Sequence, residues 1–354
     1  MLLDKQDKKQ EKKVEQCPYC QGKDIVKKGR RKKKMEEIQI YFCKHCQKKF
    51  TLQISKSRTY PLRIILDSIT LYNRLYTTKD IVAKIQEKYG FKLSEQTILN
   101  WAKGYKEYLP FLRLRDFVSK KYSSKDIIDE VHLMHGQIYD FKYHRAKMNC
   151  ILEDDFKHYK LKQIKDFLEL VSAECPHHIF RDSQNRASMY NNFFNPDEVK
   201  IIRKENQANK IARFVIQAVT NNKLRHEVLQ EFMLANDSVT VAVEVPVLLD
   251  YEDVLHFHNQ LNWQVPLDLK EGEVITGHID LIQVRNGTIH IMDYKPSAKK
   301  VKPIDQLTIY ALAMSRLTSL RLFHFKCAWF DENDYYEFFP LHVVMKKKKR
   351  GKKK

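Results

Sequence analysis

The feature that most constrains the chain is Asn286-Gly287, set between the apolar runs Ile279-Asp280-Leu281-Ile282-Gln283-Val284 and Thr288-Ile289-His290-Ile291-Met292-Asp293. Asn-Gly between two strand-like runs specifies a two-residue type I′ hairpin, because both turn positions need positive φ and these residues tolerate it best. Cross-strand partners in such a hairpin share the number sum of the turn pair, so the register can be read directly. Asp280 then faces Asp293 in a non-hydrogen-bonded pair, with side chains on one face roughly 4.5 to 5.5 Å apart. Lys295 falls two residues further along that face, opposite His278. Two carboxylates opposed across a ladder repel unless a cation lies between them, and hard oxygen ligands favour magnesium or manganese. A lysine beside them could orient or help deprotonate an attacking water and offset charge developing on a phosphate. The bland alternative is an exposed strand face carrying surface ion pairs. Asp-x-Lys alone does not decide, since it recurs at Asp140-Phe-Lys142, Asp155-Phe-Lys157 and Asp268-Leu-Lys270. The register with Asp280 is what raises it.

Charge is distributed unevenly. The 354 residues carry a net +20, but residues 1–58 hold 18 basic and 7 acidic side chains and Lys346 to Lys354 hold 8 basic and none acidic. That leaves 38 basic and 37 acidic residues for 59–345, a nearly neutral body between basic ends. Such ends argue for a polyanionic partner, nucleic acid first. An anionic membrane is the rival, but neither terminus offers an apolar stretch of about 20 residues or a basic amphipathic helix. No signal peptide is visible, so the expected location is the cytoplasm, nucleoid-associated in a prokaryotic host. The tail Lys346 to Lys354 is expected to bind phosphate without sequence preference.

Four of seven cysteines form two knuckles, Cys17-Pro-Tyr-Cys20 and Cys43-Lys-His-Cys46, separated by 22 residues. In a reducing compartment that spacing is a tetrahedral metal site, zinc preferred, rather than two disulfides. Gly29 is expected to supply the turn of the intervening hairpin, and Ile38, Ile40 and Phe42 alternate as in a strand. About 40 residues with so few apolar groups would depend on the metal, which supplies on the order of 10 kcal/mol. His45, inside the second knuckle, is read as a bystander. Residues 61–108 read as three helices. Pro61 suits a first helical position before Ile64, Ile65, Ile69 and Leu75. Thr77 with Asp80 opens a second helix that Gly90 ends. Ser94 caps a third, with Ile98, Trp101, Ala102 and Tyr105 inward and Gln96, Thr97, Asn100 and Lys103 outward. That is a helix-turn-helix pattern whose last helix could enter a major groove, against the alternative of a generic helical bundle. Ribbon and helices together, residues 14–110, resemble the DNA-binding front end of insertion-sequence transposases.

Gly277-His-Ile-Asp280, Asp293-Tyr-Lys295 and Gln306-Leu-Thr-Ile-Tyr310 resemble the successive motifs of the PD-(D/E)XK nuclease superfamily, specifically its RecB-like branch, over residues 210–345. The resemblance implies that Asp280 and Asp293 bind a catalytic magnesium or manganese ion and that Lys295 assists the attacking water. It also implies that Gln306 and Tyr310 shape the site and contact substrate. These two are i and i+4 on a helix that Pro303 can start, so they share a face. His226, in Leu224-Arg-His-Glu-Val-Leu, occupies the place of the upstream helical histidine that completes the metal shell in this branch, although a lone helical histidine is more often structural. Glu244, in the strand Val239 to Leu249, matches an acidic position on the strand before the Asp motif. Some members hold an iron-sulfur cluster with four cysteines. Only Cys327 follows Tyr310 here, and Cys150 and Cys175 cannot make up the deficit, so no cluster is expected.

The expected fold is multidomain α/β: a basic arm (1–13), a zinc ribbon (14–58), a helix-turn-helix (59–110), a middle linker domain (111–209), a restriction-endonuclease-like core (210–345) and a basic tail (346–354). The middle is the least legible part, with helices expected at 156–173 and 197–221. Asp126 to Val131 and Gln137 to Phe141 could open an RNase H-like fold with Asp129 and Asp182 as metal-binding acids. The third acid would fall near position 217, which is Gln. The reading is a metal-dependent DNA nuclease with DNA as partner, linked to mobile elements or repair, with homodimers or proteins of those systems as further partners. The alternatives are a noncatalytic DNA-binding regulator and a transposase-derived protein.

Overall fold

Five strands of the expected core lie side by side in one large sheet, and three strands from the middle of the chain join them. The computed structural model describes residues 14, 16–32, 37–51, 60–154, 161–183, 185–191, 193–194, 199–219, 221 and 224–345. The basic arm and the basic tail lie outside these residues.

The first unit is a three-stranded antiparallel sheet, β1 (Ile25–Lys32), β2 (Glu37–Cys43) and β3 (Lys49–Phe50), in that order. Its core is little more than Cys17, Tyr41, Cys43 and Phe50, with the Tyr41 and Phe50 rings stacked at 5.8 Å. Gly29 does not make the turn. It lies inside β1 at φ +78°, where the pairing with β2 slips between Lys27 and Arg30. A bulge residue needs left-handed backbone, which glycine adopts without strain.

Three helices follow, α1 (Leu62–Asn73), α2 (Thr78–Tyr89) and α3 (Glu95–Gly104). Thr77 Oγ1 accepts the Asp80 N–H at 3.1 Å, Gly90 closes α2 at φ +73°, and Ser94 Oγ accepts the Thr97 N–H at 3.2 Å. Pro61 stands just before α1, and Leu75 lies beyond its end at φ +64° rather than on it. One face of α1 packs Ile64 against Ile81, Ile85, Leu93 and Ile98. Its other face, Leu62, Ile65, Leu66 and Ile69, enters the core of the large sheet.

Beyond α4 (Leu112–Val118) come β4 (Asp129–His135), β5 (Gln137–Tyr143), α5 (Arg145–Asp154), α6 (Lys162–Glu174), α7 (His177–Asp182), β6 (Ile202–Arg203) and α8 (Gln207–Val215). Then follow α9 (Arg225–Asn236), β7 (Thr240–Asp250), α10 (Tyr251–Asn259), β8 (Val274–Arg285), β9 (Thr288–Tyr294), α11 (Ile304–Thr318), β10 (Phe325–Phe330) and β11 (Tyr335–Phe338). The sheet order is β4-β5-β7-β8-β9-β10-β11-β6. Only β9 and β10 run parallel, the pair that α11 connects, as a parallel crossover requires. The central strands feed two cores. Val245, Ile279 and Ile291 pack with Leu307 and Ala311 of α11, while Val243, Leu281 and Met292 pack with Leu229 and Met233 of α9. Burial on both faces explains why β8 and β9 read as nearly unbroken apolar runs.

Residues expected to form a separate middle domain thus build the edge of this sheet, through Lys142 paired with Val243 and Tyr143 with Ala242. Pairing between segments a hundred residues apart leaves no local trace in sequence. A fully buried Lys147 helps hold the join: its Nζ donates to Leu234 O at 2.6 Å and Thr240 O at 2.9 Å and lies 3.4 Å from Asp237 Oδ1. Asn73 Nδ2 donates to Asn236 Oδ1 at 2.8 Å, and Asn236 Nδ2 to Thr70 Oγ1 at 3.0 Å, which docks α1 on α9 in the core. Among the described residues no helix is long and apolar enough to cross a membrane.

Candidate active site

Asn286 and Gly287 take φ of +50° and +67°, and the pairs Arg285–Thr288, Ile282–Ile291 and Leu281–Met292 carry the register set by that turn. The ladder stops one pair short of Asp280 and Asp293. There the Asp280 carboxylate replaces the backbone: its Oδ2 accepts the Tyr294 N–H at 3.2 Å. The strands part at this point. Lys295 therefore does not face His278; its N–H goes to Phe330 O of β10, and His278 turns to His135 and Tyr139 at the opposite side. Lys295 Nζ instead lies 2.8 Å from Asp293 Oδ2.

The register of β7 on β8, with Val243 opposite Leu281 and Val245 opposite Ile279, sets Glu244 opposite Asp280. Glu244, Asp280 and Asp293 thus form one row across three neighbouring strands. Glu244 holds a φ of +50°, a conformation that costs a non-glycine residue on the order of 1 kcal/mol or more and is typical of functional positions. From α9, His226 Nδ1 reaches Asp280 Oδ2 at 3.3 Å and Gln230 Nε2 donates to Glu244 Oε1 at 2.6 Å. Gln230 escaped the sequence reading, although it stands one helical turn after His226 and shares its face. From α11, Gln306 Nε2 donates to Tyr310 Oη at 3.0 Å. Tyr310 lies against Gly277 so closely that any Cβ there would collide with its ring, which accounts for the glycine.

Electrostatics follow from burial. Asp293 is 2 % exposed, and both of its oxygens lack a hydrogen-bond donor at bonding geometry. Burial and then the Asp280 charge hold its carboxyl well above the ordinary range, with Lys295 opposing. The Lys295 ammonium is pushed down by burial but raised on balance by Asp293. Glu244 is pushed up to about 8 by burial and by Asp280. Burial also raises Asp280, yet the His226 hydrogen bond and charge, the Asp293 proton and Lys295 bring it below the usual value. A row of acids of which two resist ionisation, with Asp293 Oδ1 buried without a donor and Oδ2 facing only Lys295, fits a divalent cation that would neutralise them, and its carboxylate donors suit magnesium or manganese. His226, Glu244, Asp280, Gln306 and Tyr310 line a cavity of about 670 Å³ together with Tyr139, Arg186 and His278. Arg186 Nη1 donates to Tyr139 Oη at 2.9 Å and Nη2 to His135 O at 3.0 Å. Nothing in the local sequence marks Arg186 or Tyr139, because the fold alone brings them to the cavity.

The other expected residues lie elsewhere. Cys17, Cys20, Cys43 and Cys46 converge, with Cys17 Sγ 3.6 Å from Cys46 Sγ and Cys20 Sγ 3.6 Å from Cys43 Sγ. Those separations are too long for disulfides and close to the roughly 3.8 Å between thiolates on a tetrahedral zinc ion. His45 is exposed outside the set. On α3, Gln96, Asn100 and Lys103 are exposed, Gln96 Nε2 donating to Asn100 Oδ1 at 3.0 Å, while Thr97 is half-buried in the Ser94 cap. Asp129 pairs with Arg145 at 2.8 Å and Asp182 with Arg181 at 3.0 Å, so each has its own cation outside the acid row.

Residues 157–331 match the PD-(D/E)XK nuclease superfamily, a span that starts upstream of the expected 210 and ends at Asp331. No curated protein and no solved structure matches the chain. Residues 157–331, which hold His226, Glu244, Asp280, Asp293, Lys295, Gln306 and Tyr310, are a PD-(D/E)XK nuclease superfamily domain.

Proposed function

We propose that the protein is a magnesium- or manganese-dependent DNA nuclease of the RecB-like kind, brought to DNA by its four-cysteine ribbon and by α2 and α3 acting as a helix-turn-helix. The observation that carries the catalytic reading is the row Glu244, Asp280 and Asp293 across β7, β8 and β9, with Lys295 at one end of it. Those carboxylates and His226 would hold a divalent cation, which would supply Lewis-acid charge toward a scissile phosphodiester. Lys295, which keeps its proton beside Asp293, orients water and offsets charge developing on the phosphate. Gln306 donates to the Tyr310 oxygen, which leaves the phenol proton free for a substrate oxygen. The basic ends of the chain supply the attraction for a polyanion, and the ribbon and α3 face supply contacts along it.

The test is to incubate the purified full chain with single-stranded, linear duplex and supercoiled DNA, with and without manganese, beside Asp293→Ala and Lys295→Ala. Cutting should require the cation and fall by orders of magnitude in both variants. A wild type that cuts nothing, or variants that cut equally well, would leave DNA binding without catalysis as the reading.

A further inference from the structure

A second group of soft and borderline donors meets away from the acid row. His135 ends β4 and is fully buried; Cys175 closes α6 and His177 opens α7. His135 Nε2 lies 2.9 Å from His177 Nδ1 and 3.8 Å from Cys175 Sγ, and one donor atom from each residue falls within 4.8 Å of the others. Around a tetrahedral zinc ion, Zn–N of about 2.0 Å and Zn–S of about 2.3 Å put nitrogen pairs about 3.3 Å apart and nitrogen and sulfur about 3.6 Å apart. The observed spacings straddle those values. We propose that His135 Nε2, Cys175 Sγ and His177 Nδ1 hold a second zinc ion, distinct from that of the four-cysteine ribbon, with a fourth position open to solvent.

The backbone is shaped to present these atoms. At Pro176, φ −77° and ψ 74° with the His177 N–H donating to Cys175 O at 2.8 Å make an inverse γ-turn, which brings residues 175 and 177 to the same side. At β4, Gly136 turns the chain at φ +79°, and the His135 ring is stacked on Phe180 of α7 at 4.4 Å. The other nitrogen of His135 is already used, since Nδ1 lies 2.8 Å from His278 Nε2. A metal-bound histidine ordinarily spends its second nitrogen on such a partner, which fixes ring and tautomer. Thiolate with imidazole favours zinc over the magnesium or manganese suited to carboxylates, so the two sites would select different ions. The ion would tie β4, upstream of the family-matched span, to α6 and α7 within it. Through His135 it would also brace His278, two residues before Asp280 on β8. Its role is positional: it would fix one wall of the cavity that holds the acid row.

The test measures metal, so it stands apart from cleavage. Full-length wild type, His177→Ala, Cys175→Ser and Cys43→Ser are loaded with zinc, freed of unbound metal and assayed for zinc per chain. His177 is exposed, so its variant should fold, as circular dichroism would verify. His177→Ala and Cys175→Ser should each hold one zinc fewer than wild type. In cobalt-loaded Cys43→Ser the three remaining ribbon thiolates still give a charge-transfer band, so the second site is read as the part of that band lost when Cys175→Ser is added. Unchanged zinc content in both His177→Ala and Cys175→Ser, or a cobalt band indifferent to Cys175, would overturn the proposal.

Discussion

Glu244→Gln is expected to stabilise the protein when magnesium and manganese are absent. Burial first, and the Asp280 charge second, push the Glu244 carboxyl up to about 8 from an ordinary 4.5. The folded state therefore keeps a proton that the unfolded chain releases. This contribution is full below 4.5 and is lost as pH rises through 8. Each unit of the gap corresponds to about 1.4 kcal/mol, so by pH 7 the wild type has lost roughly 3 kcal/mol relative to acid. Glutamine keeps the shape, has no proton to lose, and its carbonyl can still accept from Gln230 Nε2, which now lies 2.6 Å from Oε1. The assay is urea unfolding from pH 4.5 to 8, with zinc supplied for the ribbon and other divalent ions removed. The two proteins should agree near the acid end, and the variant should lead by about 3 to 4 kcal/mol at pH 7.5. Manganese should then raise the wild-type midpoint more than that of the variant, because a cation on the acid row acts by mass action on the folded state. Equal pH slopes for the two proteins would refute the view that Glu244 is an acid held protonated by its position.

Gly277→Ala places a methyl group within 3.0 Å of Tyr310 Oη and closer still to the ring, so it should cost about 1 to 3 kcal/mol and reduce cleavage. Adding Tyr310→Ala should cost less than the sum of the two single substitutions, since the clash is then gone, and should not restore the cutting. Asp237→Asn removes the carboxylate beside the buried Lys147 ammonium and should lower stability by about 3 to 5 kcal/mol in urea melts. A loss under 1 kcal/mol would mean that the carbonyls of Leu234 and Thr240 satisfy that ammonium by themselves. Removing Lys346 to Lys354 should flatten the salt dependence of DNA affinity without changing sequence preference, checked by titration across ionic strengths. An unchanged slope would mean that the tail does not touch DNA.

The hairpin could be read from sequence because a type I′ turn is chemically local: two residues dictate the backbone, and the turn fixes every pair that follows. Helix starts were legible for the same reason, since Thr77 and Ser94 satisfy amides within three residues of themselves. What the sequence hid depends on distant partners. The opening of the β8–β9 ladder arises because the Asp280 side chain captures the Tyr294 N–H, and no periodicity announces that a carboxylate will displace a carbonyl. The pairing of β5 with β7 joins residues a hundred positions apart, so the middle of the chain read as a separate unit although it completes the sheet. Gly29 carried a correct signal, positive φ, that a bulge and a turn both satisfy.

The opening of that ladder also explains why the acids can form a site rather than a fault in the core. The strands that carry them are apolar on both faces, and a carboxylate placed midway along such a ladder would be sealed between two cores with only backbone groups already spoken for. Where β8 and β9 part, Asp280 and Glu244 border the cavity, while Asp293 stays buried beside Lys295. Burial makes each negative charge unfavourable, and the opening offers an external cation the means to relieve it. An acid row on a solvated face would hold its protons no more tightly than free carboxylates and would gain correspondingly less from a cation. The affinity of this site for a divalent ion should therefore track the burial of Asp293 and Glu244. It should weaken with substitutions that let water behind the row, such as Met292→Ala on β9, even though that side chain faces the α9 core and touches no ligand atom. Titration calorimetry with manganese would register the loss. Unchanged affinity would place the grip in ligand geometry alone.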